Sequence, residues 1–223
     1  MEMEITLPDE VAVMTLPGVA FFPQALLPLH IFEPRYRQML KDVLASHRLF
    51  AVAGVNPATG GFEPPHRIAT VGLVRACQKT PEGTSNLLLQ GLARVEVGAI
   101  LREKPYRSVK IRALASAPGA GADENLKLRT GLLRLINLRA RLDGEEPGQF
   151  MQFLHTVDDP EAFVDLAASN LCEDATVKQR LLETLDVHER LRLFTRHLRR
   201  EIDALKLRRQ LQGPLSDDDI ASN

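Results

Sequence analysis

Between Ser116 and Asp123 the chain reads Ser-Ala-Pro-Gly-Ala-Gly-Ala-Asp, and the apolar residues on its two sides keep different periods. Side chains share one face of a strand every second residue and one face of a helix about every 3.6 residues. A chain that switches from the first period to the second must therefore pack a β unit against an α unit. Pro118, Gly119 and Gly121 supply the punctuation expected between such units. The expected division is a β-barrel subdomain over residues 1–117, a helical-bundle subdomain over 118–213 and an acidic, disordered tail over 214–223.

Before the switch, Val11 to Leu16 runs at strand period. A loop from Gly18 to Gln24 follows, and Pro23 and Pro28 interrupt regular pairing. Phe50–Val55, Ile68–Cys77, Asn86–Val97 and Tyr106–Ala113 read as further strands, rich in β-branched residues or alternating. Pro81 to Thr84 is a turn that makes the middle two an antiparallel hairpin. Gly91, inside its strand, marks a bulge or a tight corner. Short, bent strands joined by turns predict a small barrel. One helix interrupts them, opened by Pro34, with Tyr36, Leu40, Val43 and Leu44 on its apolar face.

After the switch, Asp123 is the expected cap of a helix to about Leu142, Asp159-Pro160 opens another, and Asp174 caps a short one ending near Thr184. Asp186 and Glu189 form a capping-box pattern at the start of a long helix that Gly213-Pro214 stops. On that helix Val187, Leu191, Phe194, Leu198, Ile202 and Leu205 make a buried stripe. Leu193, Ala204, Leu207 and Leu211 make a second apolar arc, which either packs inside a bundle or offers a partner surface at Leu193, Leu207 and Leu211.

Lys and Arg number 28 against 29 Asp and Glu, so no overall field favours nucleic acid or an anionic membrane. Arg190, Arg192, Arg196, Arg199 and Arg200 make the last helix basic, but Glu189, Glu201 and Asp203 interleave with them, as on a solvated, ion-paired face. Two widely separated cysteines, Cys77 and Cys172, read as buried thiols. With an acidic N-terminus and no apolar run near the roughly 18 residues that span a bilayer, they point to the cytoplasm.

No P-loop, Gly-x-Ser-x-Gly or Ser-x-x-Lys occurs, and His188-Glu189 lacks the second histidine of a zincin because residue 192 is Arg. No cofactor, no metal and no catalytic residue are expected. The loop remains. Phe21 and Phe22 either close the barrel end as core or, with Pro23 and Leu26, contact a polypeptide.

Leu16-Pro17, Phe22-Pro23 and Leu27-Pro28-Leu-His-Ile-Phe-Glu33 resemble the opening pattern of the N-terminal, substrate-binding domain of the Lon protease family. Ile68-Ala-Thr-Val-Gly72 and Gln90-Gly-Leu-Ala-Arg94 are similar to its paired strands, and Leu185 to Leu191 and Glu201-Ile-Asp203 to its bundle helices. The resemblance covers about residues 10 to 212 and implies an α+β fold: a PUA-like β pseudobarrel with an inserted helix, followed by a C-terminal helical bundle. The ATPase and Ser-Lys peptidase residues of the full protease have no counterpart here, so the expectation is a stand-alone, non-catalytic substrate-recognition or adaptor module. Its expected partners are polypeptide segments or a partner protein. RNA binding, known for other PUA-like barrels, is the alternative and rests on fold analogy.

Overall fold

The computed structural model describes residues 6–144 and 148–212, so the expected tail at 214–223 lies outside the described residues. The first half supplies β1 (Glu10–Leu16), β2 (Leu26–Ile31), α1 (Pro34–Leu44), β3 (Leu49–Gly54), β4 (Ile68–Lys79), β5 (Ser85–Arg102) and β6 (Ser108–Ala113). The second supplies α2 (Ala122–Asp143), α3 (Gln149–His155), α4 (Pro160–Leu171), α5 (Ala175–Glu183) and α6 (Val187–Gln212).

The strands lie in the order β2-β5-β4-β3-β1-β6, and β6 pairs again with β5. This closes a ring of five strands and leaves β2 outside it. Closure depends on the length of β5, which holds β2 with residues 85–90 and β6 with 95–102. The sequence reading ended this strand at Val97; pairing with β6 carries it five residues further, through the exposed Gly98 to Arg102. β1 and β3 pair in parallel, and the other neighbours are antiparallel.

Strands that are apolar on both faces serve two cores. Val11 and Val13 of β1, with Leu49, Ala51 and Ala53 of β3, join one cluster with Ala69, Val71, Val95 and Val109. Their neighbours Ala12, Met14, Phe50 and Val52 face the other way, into a cluster that also holds Tyr36, Met39, Leu40 and Val43 of α1 and the apolar side chains of the bundle. Alternation along one strand thus ties the barrel to what packs around it.

In the helical half, Asp159 accepts from the Ala162 N–H at 2.7 Å and Asp174 from those of Thr176 and Val177, the cap geometry expected of both. Asp186 accepts from the Glu189 N–H at 2.9 Å, while Glu189 turns its carboxylate to Arg192 and Arg196, so half of the capping box forms. The cap of α2 is Gly121; Asp123 instead sits in the first turn, where its charge suits the helix dipole. α3 was not expected: its seven residues are too few to show a period, and tertiary packing of Met151 and Leu154 stabilises it. The connection from β6 to α2 is itself paired, with the Ala117 N–H donating to Leu185 O at 3.0 Å and Val187 N–H to Ala117 O at 2.8 Å.

Candidate functional site

Gly18 turns the chain out of β1 with φ +68°, and the following loop folds back onto the barrel. Phe21 and Phe22 are 3% and 0% exposed. Of their two expected roles, core wins and peptide contact is corrected. The physical reason lies in two glycines that pair across β4 and β5, Gly72 and Gly91. Without side chains they let the loop lie against the sheet: a Cβ on Gly72 would come 2.9 Å from the Phe21 ring, and one on Gly91 would overlap the Phe22 carbonyl oxygen. Gly91 N–H donates to Ala25 O at 2.9 Å, Gln24 N–H to Gly91 O at 2.8 Å, and the buried Thr70 hydroxyl to Phe21 O at 2.6 Å. Opposite Gly91 the register slips by one residue, so the bulge read from this glycine is present, and close backbone approach accounts for it.

Beneath the loop, the Arg94 guanidinium carbon stands 5.9 Å from the Phe22 ring centre. Arg94 donates twice to Asp165, at 2.7 Å each, and through Nε to Leu182 O at 3.0 Å. Arg190 donates to the same carboxylate at 2.9 Å, to Thr184 O and to the Ser116 hydroxyl. All three charged groups are buried. Arg190 therefore leaves the solvated basic face expected of it. Burial pulls its guanidinium below the ordinary value, against the Asp165 carboxylate, which pulls the other way. The network joins β5, α4, α6 and the β6–α2 connection, and each of its members is taken up by another.

What the loop leaves in the open is β2. It is the edge of the sheet, with Leu27, Leu29 and Ile31 toward the core and Leu26, Pro28 and His30 outward. The Gly91 bond to Ala25 O and the register Leu26↔Gln90 put alternate residues in the hydrogen-bonding positions toward β5. The backbone groups of Leu26, Pro28 and His30 then face the free edge. Pro28 has no N–H, which blunts this edge against indiscriminate pairing. Leu26 is 59% exposed and Phe32, just past the strand, 61%. Phe32 stacks on His30 with ring centres 6.0 Å apart, and His30 Nδ1 lies 2.7 Å from Asn86 Oδ1. Pro23, in the loop before β2, is half-buried, with its Cα near Gly91. Phe32 was missed in the sequence because its exposure depends on β2 lying at the sheet edge.

On α6, Leu193 packs against the main core, whereas Leu207 and Leu211 are exposed near the helix end. Of the second arc, only the last turns face outward.

One arrangement has the order of a thiol triad. Cys172 Sγ lies 3.7 Å from His197 Nε2, which is 3.0 Å from Glu201 Oε1. Both contacts use the same ring nitrogen, whereas a relay needs the nucleophile on one nitrogen and the orienting acid on the other. Burial also pushes the Cys172 thiol up to about 11, away from the thiolate that attack requires. Among the described residues no group of three or more His, Cys, Asp or Glu side chains could hold a metal, and no helix is long and apolar enough to cross a membrane.

A five-stranded ring with an outer strand and a C-terminal bundle is the fold of Lon N-terminal domains. The chain is similar to the N-terminal domain of Mycobacterium avium complex Lon protease, with a TM-score of 0.68 and 20% identity, over 85% of this chain and 97% of that one. A Lon N-terminal domain protein from Xanthomonas campestris gives 0.61 and 19%, over 82% and 95%. The chain belongs to the family of the ATP-dependent protease La (LON) substrate-binding domain, which matches residues 10–200. Among curated relatives, Lon protease 1 of Herpetosiphon aurantiacus is 27% identical over 97% of this chain, and Lon protease of Desulfosudis oleivorans 26% over 95%. The chain spans 27% and 26% of their lengths.

Proposed function

We propose that this chain is a polypeptide-recognition module that engages exposed apolar segments of non-native proteins without cleaving them, and that it works in the cytoplasm. The observation that carries the reading is the edge of β2, which among the described residues pairs only with β5 and leaves its outer backbone groups between the exposed side chains of Leu26 and Phe32. An extended polypeptide added to such an edge gains main-chain hydrogen bonds that are indifferent to sequence, and apolar neighbours favour aliphatic or aromatic side chains. Pro23, half-buried in the loop that leads into β2, belongs to the same reading. Leu207 and Leu211 are a second surface in this reading, available to a partner protein. Membership of a substrate-binding-domain family supports a binding role for the chain.

The test is fluorescence anisotropy with a labelled, permanently unfolded polypeptide, titrated with wild type and with the Leu26→Ser, Phe32→Ser double variant. Both positions are on the surface, so the fold is expected to persist. Full burial of a large apolar side chain contributes roughly 1.5–3 kcal/mol, and each of these two is already partly covered, so about 2 kcal/mol is expected from the pair. That is a loss of about thirtyfold in affinity. Equal affinity of the folded double variant would remove the β2 edge from consideration, and cleavage of casein in the presence of ATP would overturn the non-catalytic reading.

A further inference from the structure

A groove of about 730 Å3 runs between α1 and the hairpin of β4 and β5. Four cations line it: Arg37 and Lys41 from α1, Arg48 from the turn after it, and Lys79 from the end of β4. All four side chains are exposed, and none has an ion-pair partner among the described residues. Arg37 reaches across to the hairpin turn, where a methyl group on Gly83 would come 2.8 Å from its Nη2.

Elsewhere in this half several arginines are paired with acids. Arg35 meets Glu33 and Glu63, and Arg67 and Arg112 meet Glu96. Of the acids near the groove, Asp42 accepts from Gln38 and Tyr106 and lines a different cavity, and Glu82, in the hairpin turn, is not among the lining residues. In a chain whose charges nearly cancel, four like charges with no ion-pair partner among the described residues repel one another around one groove. An anionic occupant relieves that repulsion.

The floor says what kind of anion. It is aliphatic, made by Leu40 and Leu44 with Pro34 and the half-buried Cys77, and no aromatic side chain lines it. Bases of single-stranded RNA find no stacking platform there. Aliphatic side chains spaced by carboxylates match both the floor and the rim.

We infer that this groove binds acidic, leucine-like segments of polypeptides, a second recognition surface that selects among clients by charge. The inference rests on the polypeptide-binding reading above for the nature of the ligand, but uses none of the residues of the β2 edge.

The probe is a fluorescein-labelled, N-acetylated peptide of alternating Glu and Leu, compared with its Gln and Leu counterpart. The acidic peptide binds, and it weakens several-fold between about 50 mM and about 0.5 M salt as the charges are screened. The neutral counterpart and the Lys41→Glu, Lys79→Glu variant each lose about tenfold or more, since two attractive exposed pairs become repulsive. If charge reversal impairs folding, Lys41→Gln, Lys79→Gln serves instead, with a smaller loss expected. The Leu26→Ser, Phe32→Ser variant keeps full affinity for the acidic peptide, so the failure of one surface is separable from that of the other. Equal binding of the acidic and neutral peptides, or indifference to Lys41 and Lys79, overturns the inference. Tighter binding of a single-stranded RNA that the charge-reversed variant loses overturns the assignment to polypeptide.

Discussion

Replacing Asp165 by Asn is the most demanding test of how the barrel is held to the bundle. The substitution keeps the size of the side chain and one acceptor oxygen, but it removes the negative charge that Arg94 and Arg190 share at 2.7 to 2.9 Å. Both guanidiniums are buried and arginine stays protonated in proteins, so neither escapes by losing its charge. The remaining acid, Glu161, is part-exposed and 3.4 to 3.5 Å away. Breaking a buried pair by removing one partner costs about 3–5 kcal/mol, and the retained amide oxygen places this variant near about 3 kcal/mol. For a chain of this size 1 kcal/mol moves Tm by about 2–4 °C, so a drop of about 6–12 °C is expected.

The sequence provides two probes for the assay. It has no Trp, and its two Tyr residues, Tyr36 and Tyr106, are both in the barrel half, whereas circular dichroism at 222 nm is dominated by the helices. In wild type the tyrosine and helix signals should melt together; in Asp165→Asn they should separate, because the charged link between the halves is broken. The triple change Arg94→Met, Asp165→Leu, Arg190→Met removes all three charges and should recover most of the loss. A variant within about 0.5 kcal/mol of wild type, with coincident melts, would refute the coupling role of the network.

Two glycines give opposite expectations for one substitution. Gly91→Ala drives a methyl group into the Phe22 carbonyl and should cost about 1–3 kcal/mol in urea unfolding, whereas Gly131→Ala, in α2 with open space around it, should stabilise by about 0.5–1 kcal/mol. Equal effects would contradict the close packing of the loop. Cys172 should resist alkylation at pH 8, where a thiol pushed up to about 11 is about one-thousandth thiolate, while the half-buried Cys77 reacts first; mass spectrometry after a timed iodoacetamide pulse reads the order. The same raised pKa has a stability sign. The buried neutral thiol favours the native state below the ordinary thiol value near 9, and that contribution is lost as pH rises through about 9 to 11, where the unfolded chain ionises first.

Local chemistry made much of the architecture legible. The caps at Asp159 and Asp174, the helix start at Pro34 and the strand period of β1 and β4 are each decided within a few residues, and they hold in the structure. The candidate site was harder to read. Leu26 was visible as an apolar residue in a proline-broken run, but Phe32 was not, because exposure depends on β2 lying at the sheet edge. The basic groove was equally hidden: Arg37, Lys41, Arg48 and Lys79 are spread over 43 positions in sequence, from 37 to 79 inclusive, and converge only when the hairpin folds beside α1.

Sequence alone determined what depends on period, capping and backbone permission: strands followed by helices, and the caps that open α4 and α5. Tertiary structure alone decided which charged and aromatic residues are buried. Phe21 and Phe22 became core because Gly72 and Gly91, distant in the chain, leave room beneath them. Arg190 left the solvated face of its helix because Asp165 and Arg94 meet it between the two units. Burial depends on what arrives from the rest of the chain, and no local pattern encodes that arrival.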